Sequence, residues 1–221
     1  MPDAVIFDND GLTLNTEDAW TRAETALYAR HGATFTMDHK RELLGTAGAI
    51  AAARIERHLG LPGRGPALTA ELHALVMDEL EQGAPPMPGV VELLGALRGR
   101  GVAVALASNS PGAFVDRALR AAGMEEAFDA VVTAARVERP KPAPDVYLAA
   151  AAAVGAEPAR CVALEDSDTG VAAARAAGMV VIGVPSLPGV TLDAADLVAA
   201  SVADARVWAL LGLTPDGRAV P

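Results

Sequence analysis

The chain has 221 residues, of which 52% are hydrophobic and 21% are charged, and its formal net charge is −10 at pH 7. This composition is typical of a folded globular protein and excludes a disordered or fibrous chain. The acidic balance disfavours nucleic acid and anionic membrane surfaces as main partners, because both carry negative charge themselves.

The single cysteine, Cys161, allows no internal disulfide and no thiolate-rich metal site. The first residues lack the basic and apolar regions of a signal peptide, and no apolar run reaches the ~20 residues of a membrane helix. We therefore expect a cytoplasmic protein that binds neither membrane nor nucleic acid, as a monomer or weak dimer.

Short apolar runs predict the strands of a sheet. They cover residues 4–7, 102–107, 130–133, 161–164 and 180–184, with a weaker run at 197–199. Continuous rather than alternating hydrophobicity is typical of parallel strands buried on both faces. Helical spacing lies between them, at 90–97, 112–122, 144–154 and 169–177. This alternation predicts a doubly wound α/β fold.

One segment, residues 15–85, interrupts the alternation with helical patterns alone. Helices are predicted at 17–30, 37–44, 49–59 and 69–82. We therefore expect a small α-helical domain at 15–85, inserted after the first strand of an α/β core that comprises residues 1–14 and 86–221.

Polar residues follow the predicted strands, where open parallel sheets bind ligands. Asp8 and Asp10 follow the first strand, Ser108-Asn109 the second and Glu165-Asp166 the fourth, and Lys141 lies in the loop after the third. A divalent cation such as Mg²⁺ relieves the repulsion of clustered carboxylates. One aspartate can attack phosphorus while a second moves protons, and lysine and serine can bind phosphate oxygens. The set favours phosphoryl transfer.

Each residue also has a purely structural interpretation. Asp8 and Asp10 suit a turn, Ser108 suits a helix N-cap, and Glu165-Asp166 suit the start of the following helix. Their convergence on one sheet edge favours the functional interpretation, although capping and ligand binding can coexist.

Four motifs together resemble the haloacid dehalogenase superfamily, and in particular its phosphatases and β-phosphoglucomutases with a helical cap after the first strand. The motifs are Phe7-Asp8-Asn9-Asp10-Gly11, Ser108-Asn109, Lys141-Pro142 and Glu165-Asp166-Ser167-Asp168-Thr169-Gly170. The resemblance extends to about residue 211 and implies a core with strand order 3-2-1-4-5.

The resemblance implies a role for each motif residue. Asp8 would be the nucleophile and a Mg²⁺ ligand, and Asp10 the general acid and base with its backbone carbonyl on the metal. Glu165 and Asp166 would hold the metal directly or through water. The phosphate would be bound by Ser108, Lys141 and Asn109.

Substrate contacts are expected near the start of the insertion. The candidates are Gly11, Asn15, Thr16, Glu17 and Trp20, with the basic residues Lys40, Arg41 and Arg54. Trp20 stands where β-phosphoglucomutases carry a histidine, and the arginine that they carry near Gly48 is absent, which argues against a mutase. Asp10 argues against a dehalogenase, which lacks an acid there. Asn15 replaces the aspartate of many relatives.

These features predict a Mg²⁺-dependent phosphatase that acts on a small phosphorylated metabolite, of the sugar phosphate or phosphoglycolate type, through an aspartyl-phosphate. A β-phosphoglucomutase-like mutase is the main alternative. A phospho-accepting signalling domain and a non-catalytic metal- or phosphate-binding protein are further alternatives.

Overall fold

A computed structural model describes residues 1–80 and 83–214, with a parallel sheet at its centre. The strands of the described residues are β1 (Ala4–Phe7), β2 (Ala103–Ser108), β3 (Ala130–Thr133), β4 (Cys161–Glu165), β5 (Val180–Gly183) and β6 (Leu197–Val198). They lie in the order β3-β2-β1-β4-β5-β6, and every neighbouring pair is parallel. The predicted α/β class and order are confirmed, and the weakest predicted run adds β6 beyond β5.

Alternate residues of the central strand β1 enter two different hydrophobic cores. Val5 and Phe7 belong to one core, and Ala4 and Ile6 belong to the other. Helices α5 (Val90–Gly99) and α6 (Gly112–Ala121) contribute to the first core. Helices α7 (Asp145–Ala153) and α8 (Asp168–Ala176) contribute to the second. Burial on both faces explains the continuous apolar runs of the sequence.

The segment after β1 forms helices, as predicted. They are α1 (Glu17–Arg30), α2 (Met37–Leu43), α3 (Gly48–Leu59) and α4 (Gly65–Glu79). The predicted start of α4 at Thr69 was wrong, since the helix begins at Gly65. Pro66 lies in its first turn, where the missing N–H of proline costs no helical hydrogen bond. The predicted end at Gln82 lies outside the described residues.

A last helix, α9 (Ala205–Leu210), was not predicted. It begins at the N-cap Asp204, whose side chain accepts a hydrogen bond from Arg206 N at 2.8 Å. Val207 and Trp208 are its buried residues and join the same core as α5. Six residues are too few to show a helical period in the sequence.

The inserted helices connect to the core through two adjacent passages of chain. Asn15 N donates to Pro85 O at 2.9 Å, and Met87 N donates to Thr13 O at 2.9 Å. The hydrophobic core that contains Phe7 also continues into α1 through Leu27. The domain division at residues 15 and 85 stays a prediction.

Candidate active site

The carboxyl ends of β1, β2 and β4 bring three motif residues to one edge of the sheet. Asp8 follows β1, Ser108 ends β2 and Glu165 ends β4. Since β1 lies between the other two strands in parallel register, their ends face the same way. All three residues are buried. The predicted convergence of polar residues at this edge is present.

Lys141 reaches this edge from the loop between β3 and α7. Its Nζ lies 2.5 Å from Asp8 Oδ1 and 2.6 Å from Glu165 Oε1, and it donates to Ala107 O at 2.9 Å. Burial lowers the pKa of Lys141, but the two carboxylates outweigh burial and raise that pKa above its usual value. Lys141 is 1% exposed and is therefore a charged interior group, not a solvated loop lysine.

Three acids form a buried cluster beside this lysine. One carboxylate oxygen from each of Asp8, Glu165 and Asp166 lies within 4.8 Å of the other two. Burial raises the pKa of Asp8 to about 8, against the opposing effect of Lys141. Burial, and then the charge of Asp8, also raise the pKa of Asp166. A divalent cation would relieve this cost, and an all-oxygen donor set suits a hard metal ion.

Glu165 is held at both of its oxygens. Tyr147 OH donates to Oε1 at 2.6 Å, while the backbone N–H groups of Asp166 and Ser167 donate to Oε2 at 3.1 and 3.3 Å. A Cβ at Gly170 would overlap the Glu165 carboxyl group. The glycine of this motif therefore makes room for the acid.

Asp10 accepts hydrogen bonds from both sides of the site. Oδ1 accepts from Thr16 Oγ1 at 2.6 Å and from Trp20 Nε1 at 3.3 Å. Oδ2 accepts from Ser110 Oγ at 2.6 Å and from Ser108 Oγ at 3.4 Å. Trp20 lies in α1 and Thr16 is its N-cap residue, so the position of Asp10 depends on the inserted helices.

Asn109 joins the core to the insertion. Its Oδ1 accepts from Lys141 N at 2.9 Å, and its Nδ2 donates to Lys141 O at 3.2 Å and to Gly45 O at 3.0 Å. Gly45 has φ of 66°, and a Cβ there would overlap Ser167. The loop between α2 and α3 thus lies directly against the strand-end site.

A cavity of about 510 Å³ lies between the strand ends and the inserted helices. Core residues that line it include Asp8, Asp10, Asn109, Lys141 and Asp166. The insertion contributes Glu17, Trp20, Lys40, Leu43, Ile55 and Leu72, among others. The acids of the core and the helices after β1 therefore enclose a single space.

A second buried lysine lies on the insertion side of this cavity. Lys40 Nζ is 2.7 Å from Glu17 Oε2 and 3.0 Å from Glu24 Oε2. Burial, more than the neighbouring Glu17, raises the pKa of Glu24 to about 7, and Lys40 opposes that rise. We call Lys40, Glu17 and Glu24 the insertion ion cluster.

Comparison with known proteins identifies this arrangement of motifs. Residues 2–178 match the family model of haloacid dehalogenase-like hydrolases. The chain belongs to this family. Its superfamily membership, first suggested by four short motifs, is confirmed.

Named relatives define the type of hydrolase. Hexitol phosphatase B of Escherichia coli is 36% identical over 191 residues, which is 83% of each chain. Fructose-1-phosphate phosphatase YqaB of the same organism is 36% identical over 79% of this chain and 92% of its own. This haloacid dehalogenase-like chain is therefore a phosphoric monoester hydrolase, as predicted.

Solved structures agree with the fold. CbbY from Rhodobacter sphaeroides, in complex with xylulose-(1,5)bisphosphate, superposes with a TM-score of 0.80 at 28% identity and covers 93% of this chain and 96% of its own. No helix in the described residues is long and apolar enough to cross a membrane.

Some predicted contact residues of this hydrolase lie outside the cavity lining. Gly11 lies against Asp166, since a Cβ there would come within 2.6 Å of Asp166 Oδ2. Asn15 faces Asp18 at 3.5 Å. Arg41 and Arg54 contact Asp38 and the carbonyl of Glu42, respectively. The proposed roles of the site residues stay predictions, but the lining favours Glu17, Trp20 and Lys40 as substrate contacts.

Sequence reasoning missed four supporting side chains. They are Ser110, which donates to Asp10; Tyr147, which donates to Glu165; Ser186, which donates to Asp166 at 2.5 Å; and Glu24, which pairs with Lys40. Ser110 directly follows a motif and could have been inferred from that adjacency. No local pattern marks the other three, although Tyr147 lies only a few residues after the Lys141-Pro142 motif.

Proposed function

We propose that this enzyme is a Mg²⁺-dependent phosphatase that hydrolyses the phosphate monoester of a small sugar-type metabolite through an aspartyl-phosphate at Asp8. One observation carries the proposal. Asp8 lies at the end of β1 and lines the cavity, 2.5 Å from the Lys141 ammonium and within a cluster of acids suited to a metal ion. The phosphatases named above supply the substrate class.

The metal would be held by Asp8 and Asp166, with Glu165 beside them. When bound, Mg²⁺ supplies positive charge that lets an anionic phosphate approach an anionic nucleophile. The buried acids fit a cation because little positive charge lies beside them. Lys141 alone pairs with both Asp8 and Glu165 among the described residues. Burial raises the pKa of Asp8 to about 8, and a bound cation would favour its ionised form.

In the first step, the Asp8 carboxylate attacks phosphorus and the bond from phosphorus to the leaving oxygen breaks. Asp10 donates the proton that converts the departing alkoxide into an alcohol. Lys141 remains charged beside Asp8 and offsets negative charge on the phosphoryl oxygens. Asn109 keeps the lysine backbone in place through its two hydrogen bonds.

In the second step, Asp10 removes a proton from water, and that water attacks the phosphorus of the aspartyl-phosphate. The bond from phosphorus to the Asp8 oxygen breaks, which releases inorganic phosphate and restores the free carboxylate. The proton gained by Asp10 replaces the one that it gave up, so the enzyme returns to its starting state.

The insertion would open to exchange substrate and close to exclude water. Its two connections near residues 12–16 and 83–88 lie side by side and are the proposed hinges. Thr16 and Trp20 bind Asp10 from the insertion side, so closure would also place the general acid. We also propose that the enzyme acts in the cytoplasm.

Phosphate release from sugar phosphates, phosphoglycolate and an aryl phosphate tests the proposal, with Mg²⁺ and with a chelator. We expect metal-dependent release by the native enzyme and none by Asp8→Asn. A parallel assay follows isomerisation of a hexose 1-phosphate with a bisphosphate primer. Isomerisation that outpaces release would favour the mutase alternative, and release by Asp8→Asn at the native rate would exclude Asp8 as nucleophile.

A further inference from the structure

Among the residues that the structure describes, every lysine or arginine that lines the cavity above Asp8 already pairs with acids. Among the described residues that line it, Lys40 and Lys141 are the two cations, and each lies within 3.0 Å of two carboxylate oxygens. Lys141 serves the phosphoryl group in the proposed mechanism. The part of the cavity that would enclose the leaving group therefore has Lys40 alone, already paired with Glu17 and Glu24.

The remaining basic residue of the lining is His73, and its surroundings favour the neutral form. Burial lowers the pKa of His73 below its usual value. Its ring lies edge-on to Trp20, with 6.2 Å between the ring centroids. His73 can exchange hydrogen bonds with a neutral substrate, but it offers no full charge to an anion.

This side of the cavity has no net positive charge. Glu17 and Glu24 face one ammonium, Lys40, which lies within 3.0 Å of an oxygen of each acid. An anionic group held there would lose water and would have to compete with these two acids for Lys40. A hydroxyl group, in contrast, can donate to a carboxylate oxygen without that cost.

Apolar side chains complete the same wall. Leu43, Ile55 and Leu72 are buried residues of α2, α3 and α4 that line the cavity, and Ala47 and Ala51 also line it. These apolar side chains suit the carbon skeleton of a substrate and offer no charge to a second phosphate or a carboxylate.

We propose that the enzyme selects phosphate monoesters whose leaving alcohol is uncharged, and rejects those that carry a second anionic group. The insertion ion cluster sets this selectivity: Glu17 accepts hydrogen bonds from substrate hydroxyls, and Lys40 positions Glu17. This inference rests on the proposed function, since it concerns the leaving group of the same reaction. It excludes bisphosphates and phosphoglycolate as preferred substrates.

Matched pairs of substrates test the inference on the native enzyme. Glycerol 3-phosphate is compared with 3-phosphoglycerate, 2-hydroxyethyl phosphate with phosphoglycolate, and a hexose 6-phosphate with the hexose 1,6-bisphosphate. In the first two pairs, a hydroxymethyl group of one member replaces the carboxylate of the other. We expect kcat/KM to be at least about tenfold higher for the neutral member of every pair. Equal or reversed preference within the pairs would overturn the inference.

Variants locate the source of the selectivity. At about pH 8, above the pKa of about 7 to which burial raises Glu24, Glu17→Gln and Glu24→Gln each remove one negative charge from the cluster with little change in shape. Both should lower the ratio of kcat/KM between the members of a pair about threefold or more. Glu125→Gln makes the same charge change at an exposed residue outside the cavity lining and should leave the preference unaltered. Selectivity that is unchanged in both cluster variants would overturn the assignment to these acids.

An aryl phosphate separates the two levels of proposal. If the enzyme releases phosphate from the aryl phosphate but prefers the more anionic member of each pair, the proposed phosphatase function stands and the proposed selectivity is overturned. Absence of release from every compound would overturn the proposed function, and the selectivity would fall with it.

Discussion

The strand-end site and the inserted helices each bury one of the two lysines of the chain, and the two lysines differ in what surrounds them. Lys141 pairs with Asp8 and Glu165, which belong to a larger acid cluster. Lys40 pairs with Glu17 and Glu24, which face an apolar wall. The first arrangement has an excess of acid suited to a metal and a phosphate, whereas the second nearly neutralises itself and leaves room for the uncharged part of a substrate.

The largest effect should come from the acid that lies beside Lys141. Asp8→Asn keeps the shape of the side chain but removes its nucleophilic oxygen, so kcat should fall at least about 10⁴-fold. Circular dichroism should show an unchanged fold, because Glu165 still pairs with Lys141. A loss of less than tenfold in a folded variant would contradict the assigned role.

Removing each lysine in turn compares the two clusters directly. Lys141→Met and Lys40→Met each leave two buried carboxylates without a cation, so each should lower the free energy of unfolding by about 3–5 kcal/mol. Lys141→Met should also lower kcat on an aryl phosphate by about 10²-fold or more, because it removes charge at the phosphoryl group.

Lys40→Met should act mainly through KM for hydroxylated substrates, since it releases Glu17 from its position. Steady-state kinetics and urea unfolding of both variants measure the difference. Equal losses of kcat in the two variants would contradict the assignment of Lys141 to the phosphoryl group and of Lys40 to substrate binding.

The insertion ion cluster should give stability a distinctive pH dependence. Burial, with Glu17 nearby and Lys40 opposing, raises the pKa of Glu24 to about 7 from 4.5. Between those values the folded protein binds a proton that the unfolded chain does not, so the contribution of Glu24 to the free energy of unfolding falls as pH rises through this window. The change amounts to about 3 kcal/mol.

Glu24→Gln should remove that part of the slope, and Glu125→Gln should keep it. Urea unfolding at about pH 5 and about pH 8 measures both variants beside the native chain. If the free energy of unfolding of Glu24→Gln depends on pH as that of the native chain does, a group other than Glu24 produces this dependence.

The smallest expected effect concerns the tyrosine that donates to Glu165, and it distinguishes orientation of a metal ligand from general stabilisation of the fold. Tyr147→Phe removes the donor to Glu165 Oε1 and should lower stability by about 1–3 kcal/mol, with a measurable fall in metal affinity. Tyr28→Phe removes a comparable hydroxyl, bonded at 2.7 Å to His58 Nδ1, and should leave metal affinity unchanged. Calorimetric titration with Mg²⁺ compares them, and equal affinities would mean that Tyr147 does not orient Glu165.

The sequence predicted the strand-end site because its residues are attached to elements with strong local signals. Asp8, Ser108 and Glu165 each end or follow an apolar run, and parallel pairing brings such ends together whatever the details of packing. The helices of the insertion were also predictable, with α1 found at its observed bounds and α4 shifted at its start by Pro66.

The insertion ion cluster was not predictable in the same way. Lys40 was a candidate contact, but its pairing with Glu24 depends on how α2 packs against α1, which no local pattern specifies. Tyr147 and Ser186 are similar cases, because each reaches a motif acid 18 or 20 residues away from a different part of the fold. Side-chain partners across elements follow from tertiary packing, and a single sequence records them only indirectly.

Trapping the covalent intermediate tests the central claim most directly. Asp10→Asn should slow the water-dependent step more than the attack on an aryl phosphate, whose leaving group needs no protonation. Acid quenching of that variant, followed by mass spectrometry of the peptide that contains Asp8, should find one phosphoryl group on Asp8. No such group should form in the Asp8→Asn, Asp10→Asn double variant. Turnover of the aryl phosphate without any phosphorylated Asp8, or with the phosphoryl group on another residue, would contradict the account.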